Sequence, residues 1–127
     1  MSSDAIMKTG LEEKRKFPRY KVFTPAHLEM FDGSFPVNVV EVSVEGVRIH
    51  SANAIPPETH VAIRINVGRD IVFHGQVVWV ADHLTMDGQL YKIGIYIDAV
   101  LDRGAEIIDL GEREIMVNEI VILIGAM

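Results

Sequence analysis

Between residues 26 and 98 apolar and polar positions alternate with period two, the spacing of strands that bury one face. His27-Leu28-Glu29-Met30 alternates, and Asp32-Gly33 follows as a hairpin signal. Val37, Val39 and Glu41 then alternate with Asn38, Val40 and Val42, and after Gly46 the pattern resumes in Val47-Arg48-Ile49-His50. Pro56-Pro57 marks a loop. Val61, Ile63, Ile65 and Val67 share a face, with Arg64 and Asn66 opposite. Gly68-Arg69-Asp70 turns the chain into a long predicted strand, Ile71–Ala81, and Asp87-Gly88 closes a loop before another, Tyr91–Asp98. Short strands at regular turn spacing predict a closed or sandwiched antiparallel sheet.

The end of the chain reads differently. The pattern predicts a helix over Val100–Leu110, with Leu101, Ala105 and Ile108 toward one side and Gly111 as its C-cap. Glu112–Ile124 fits a second helix, but its β-branched run also fits a strand over Glu119–Ile124. The expected fold is therefore all-β with a tail of one or two helices. At the other end, residues 1–13 are polar and aperiodic, which predicts a mobile arm, and residues 14–127 form one expected domain. Phe17-Pro18 breaks any helix there, because the residue before proline is driven to extended conformations.

Composition narrows the function. The absence of cysteine among 127 residues excludes disulfides, cysteine-ligated metals and thiol nucleophiles. Met1–Gly10 has no apolar core of a leader, and the apolar run Ile120–Met127 is too short to span a bilayer, so the expected location is cytoplasmic. A formal net charge of −6 argues against binding duplex nucleic acid. The charge is uneven, however: Lys8, Lys14, Arg15, Lys16, Arg19 and Lys21 are six of the 12 basic residues. An acidic protein with one basic corner can hold a small polyanion there.

Two segments carry recognisable chemistry. In Arg15-Lys16-Phe17-Pro18-Arg19 the two arginines stand at most about 13 Å apart on an extended chain, the scale of a dinucleotide. An arginine fork bonds a phosphate or the O6/N7 edge of guanine, and its plane stacks on a base. In Glu41-Val42-Ser43-Val44-Glu45-Gly46 a hydroxyl and a carboxylate flank a turn. Gly46 allows a positive φ or a close backbone approach. Glu41 could accept from a guanine N1–H and N2–H₂ edge or hold an arginine, and strand alternation sets it on the face of Ser43. His27, His50, His60, His74 and His83 show no metal-ligand spacing. Ser43 lacks a nucleophile context, and no phosphate-loop motif occurs, so neither a catalytic residue nor a metal site is expected.

Together the two segments resemble the signature of the PilZ family, an R-x-x-x-R segment followed by [D/N]-x-S-x-x-G. Arg15 and Arg19 match the first, Ser43 and Gly46 the second, and Glu41 stands where the family has Asp or Asn. Gly75-Gln76-Val77-Val78-Trp79-Val80, Tyr91-Lys92-Ile93-Gly94-Ile95 and the Leu110-Gly111-Glu112 tail are also similar to PilZ segments. The resemblance implies a six-stranded β-barrel that binds cyclic di-GMP and performs no chemistry. It implies ligand contacts from Arg15, Arg19, Glu41, Ser43 and Gly46, with Lys14 and Trp79 as further candidates. Apart from the resemblance, Trp79 is expected in the core. Output would be movement of the N-terminal arm read by a partner protein, from a monomer or homodimer. The alternative is a PilZ-fold adaptor that has lost the ligand, since Glu41 is one methylene longer than Asp.

Overall fold

Strand β1 (Tyr20–Met30) pairs on one edge with β2 (Gly33–Val42), which pairs with β3 (Gly46–Ser51). On its other edge β1 pairs with β4 (His60–Asn66), followed by the long strands β5 (Asp70–Thr85) and β6 (Gly88–Asp102). All these pairs are antiparallel, and β3 also pairs with β6, from Gly46↔Tyr96 to Ser51↔Tyr91. That last ladder closes six strands into a ring, a barrel with no free edge in the ring. A short β7 (Ala105–Glu106) pairs with β6, and helix α1 (Leu110–Ala126) ends the chain. The computed structural model describes residues 17–86 and 88–126; the expected arm, Lys14, Arg15 and Asp87 lie outside the described residues.

Alternation fills the interior as expected. Leu28, Val39, Ile49, Ile63, Ile65, Phe73, Ile93 and Ile95 point inward and are buried, while Arg64 and Asn66 point out. From α1, Met116, Val117 and Ile120 join this core. Arg69 in the β4–β5 turn donates to Glu119 of α1 at 2.7 Å and lies 3.3 Å from Asp102, tying the helix to the barrel. Among the described residues no helix is long and apolar enough to cross a membrane.

The expected helix over Val100–Leu110 is not formed. Strand β6 continues to Asp102, and Arg103 (φ 53°) and Gly104 (φ 87°) turn the chain back into β7. Two successive positive φ angles are the signature of a two-residue hairpin turn of type I′ and cannot occur inside a right-handed helix. Helix α1 starts later, at Leu110, where Asp109 Oδ2 accepts from Glu112 N–H at 3.0 Å as an N-cap. Gly111 therefore lies in the first turn of a helix and does not end one, and the ambiguous segment Glu112–Ile124 is helical.

Candidate ligand-binding site

Two bulges shape one patch of the barrel's outer wall. In β2 the register passes from Val39↔Ile49 to Glu41↔Arg48, leaving Val40 as the extra residue. In β5 it passes from Val77↔Ile95 to Trp79↔Gly94, leaving Val78 as the extra residue. A bulge reverses which face the following residues occupy. Without it Trp79 would share the inward face of Val77; with it the indole points out and is 41% exposed. The core position expected for Trp79 is thereby corrected.

The registers then align four residues in one row across the outside of β2, β3, β6 and β5: Glu41, Arg48, Gly94 and Trp79. The Trp79 indole lies over Gly94, where any β-carbon would collide with the ring. Glu41 Oε1 lies 3.2 Å from Arg48 Nη2, and its Oε2 lies 3.6 Å from Arg19 Nη1. One largely buried carboxylate thus holds two half-exposed arginines. Both contacts fit the arginine-holding reading of Glu41. The row floors a cleft of about 320 Å³ that is also lined by Phe17, Ser43, Gly46, Val78 and Tyr96.

Strand β2 ends at Val42, so Ser43 lies in the turn, where strand alternation does not govern its direction. Its hydroxyl accepts from Glu45 N–H at 3.2 Å and Gly46 N–H at 3.1 Å and donates to Gly46 O at 3.3 Å. Those bonds occupy the hydroxyl with shaping the turn. Gly46 serves the close approach and not a positive φ: a β-carbon there would come within 3.1 Å of Ile95 O. Ile97 N–H donates to Glu45 O at 2.8 Å, holding the turn against β6.

Of the residues expected at the site, Arg19, Glu41, Ser43, Gly46 and Trp79 all line this cleft. Sequence reasoning missed Arg48, Tyr96 and Phe17. Arg48 carried a usable signal: it follows Gly46 by two positions, hence on the same strand face. Its pairing with Glu41 needs the bulge at Val40, which no alternation pattern reveals.

A closed antiparallel barrel of six strands, with an arginine-, glutamate- and tryptophan-lined cleft on its outer wall, is the class of domain the geometry defines. The model of the PilZ domain family matches residues 13–108, and the chain belongs to that family. Among solved structures the chain is similar to the "PilZ domain with c-di-GMP of YcgR from Escherichia coli". That likeness has a TM-score of 0.63 at 13% identity, covering 89% of this chain and 92% of that one, and it speaks for the fold. No curated protein matches the sequence.

Proposed function

We propose that the cleft binds cyclic di-GMP and that the chain is a receptor module for that nucleotide. The observation that carries the reading is the convergence of Arg19, Arg48 and the Trp79 indole on one cleft, where the two family motifs meet. Each group suits a part of such a ligand. A guanidinium bonds a guanine O6/N7 edge or a phosphate. An exposed indole offers a flat surface on which a purine stacks. Arg15 and Lys14, which precede the cleft's Phe17 in sequence, would close over the ligand from the arm. A change in the arm's position on binding would be the signal read by a partner protein. The similar Escherichia coli PilZ domain is a structure with c-di-GMP, which supports the same choice of nucleotide.

One observation favours the adaptor reading. Glu41 already neutralises both Arg19 and Arg48, so an incoming anion meets arginines that have a partner. Isothermal titration with cyclic di-GMP separates the two. Saturable heat that is lost in Arg19→Ala supports the receptor. No heat at millimolar nucleotide leaves the adaptor.

A further inference from the structure

Beside the row Glu41–Arg48–Gly94–Trp79 the registers align a second one. Asn38 faces His50 across β2 and β3, His50 faces Lys92 across β3 and β6, and Lys92 faces Ala81 across β6 and β5. His83, two residues beyond Ala81 on β5, stands on the same outer face and pairs with Leu90. Alternation turns its neighbour Asp82 to the other face. Ala81 is exposed and carries only a methyl, so the second row has a low floor. Trp79 and His83 border that floor along the strand, and Lys92 and His50 border it across the sheet. Arg48 joins it to the cleft.

Among the described residues of this row, His50, Lys92 and His83, every titratable side chain is a cation or can become one. Of the two carboxylates that line the adjoining cleft, Glu41 and Glu45, Glu41 is engaged by Arg48 and Arg19. Among the described residues neither Lys92, His50 nor His83 has an ion-pair partner. The crowding is felt by His50, whose pKa is held below its usual value by burial first and then by Lys92, Arg48 and His83. Gathering cations on one face carries a cost in mutual repulsion, even in a chain of formal charge −6. An anion lying on the Ala81 floor would relieve it.

We propose that His50, Lys92 and His83 form an oxyanion subsite on the Ala81 floor, continuous with the cleft through Arg48, that takes a phosphoryl group. The rounded ammonium and two ring N–H donors suit the dispersed oxygens of a phosphate better than the planar fork a carboxylate prefers. The subsite stands on these residues and does not depend on which nucleotide the cleft accepts. The phosphoryl group has two sources, a phosphate of the cleft's own nucleotide or a separate phosphorylated anion.

The test uses the full chain, with the five histidine rings assigned by single His→Gln substitutions and followed by NMR against pH. Millimolar inorganic pyrophosphate should raise the pKa of His50 and His83 by about half a pH unit or more. His27 on β1 and His74 at the far end of β5 should not move, and Lys92→Gln should abolish the rise. The proposal is overturned if neither His50 nor His83 moves, if His27 and His74 move equally, or if Lys92→Gln behaves as wild type. Repeating the titration with cyclic di-GMP assigns the source. A rise with that nucleotide puts its own phosphate on the floor. A rise with pyrophosphate alone assigns a separate anion, and stands even if the nucleotide does not bind at all.

Discussion

Replacing Glu41 probes the centre of the cleft, because one carboxylate positions both described arginines. Its oxygens lie 3.2 Å from Arg48 Nη2 and 3.6 Å from Arg19 Nη1, with the Glu41 side chain only 16% exposed. The arginines themselves are 38% and 48% exposed, so Coulomb attraction is strongly screened and each pair is worth well under its low-dielectric value. Positioning is the larger effect. Restraining a rotamer-rich side chain at binding costs about 0.5–1.5 kcal/mol, and Glu41→Ala would return that cost for two arginines. The predicted loss is about 1–3 kcal/mol in cyclic di-GMP binding, or roughly 5- to 150-fold in Kd. Removing the negative charge acts in the opposite direction, toward tighter phosphate contact, but at these exposures it is the smaller term. Glu41→Asp draws the carboxylate back by one C–C bond, about 1.5 Å. It gives up the longer contact to Arg19 while cross-strand register keeps Arg48 in reach. Arg19 then loses its restraint while Arg48 keeps it, so the loss should be about half that of Glu41→Ala, about 0.5–1.5 kcal/mol. Calorimetry of wild type, Glu41→Ala and Glu41→Asp side by side decides this. Wild-type affinity in Glu41→Ala refutes the positioning argument.

Other perturbations have separate readouts. Arg19→Ala or Arg15→Ala should each weaken cyclic di-GMP by at least about 1.4 kcal/mol, tenfold in Kd, because a buried guanine or phosphate edge loses its charged donor. Gly94→Ala should push the indole off the cleft floor, shifting the emission of the sole tryptophan and weakening the nucleotide while the barrel stays folded. Ser43→Ala should lower the thermal midpoint by several degrees even without ligand, since the turn loses bonds worth about 1–2 kcal/mol. Burial and the neighbouring cations disfavour the charged form of His50, so its folded pKa lies below the unfolded 6.5 and the unfolded chain binds its proton first. Its contribution to stability is therefore lost as the pH falls below 6.5, and His50→Gln should flatten that part of a pH series of unfolding midpoints.

Period-two alternation carried the strands because each buries one face, and that holds for Val61 to Val67 without exception at the odd positions. It failed where the backbone stopped being regular. The extra residues Val40 and Val78 add one position to their strands, so Trp79 left the core and Glu41 met Arg48 for reasons no side-chain pattern displays. The Val100–Leu110 misreading has the same origin. Leu101, Ala105 and Ile108 are spaced as a helix would space them, but the Arg103-Gly104 turn separates them. The true helix start was legible, since Asp109 precedes Glu112 by three positions in the manner of a cap. That Arg19, Glu41, Ser43 and Gly46 would come together at one cleft was legible because the two motifs are local in sequence. Arg48 was legible only in its strand face, two positions after Gly46, and Tyr96 was not, because its place depends on the closure of β3 onto β6.

The most direct test of the receptor reading is a calorimetric titration of the full chain with cyclic di-GMP, run in parallel on Arg19→Ala. Saturable binding by wild type, weakened at least tenfold in the variant, is the result predicted. No heat and no thermal shift with wild type at millimolar nucleotide, from a chain whose unfolding transition shows it folded, would contradict it.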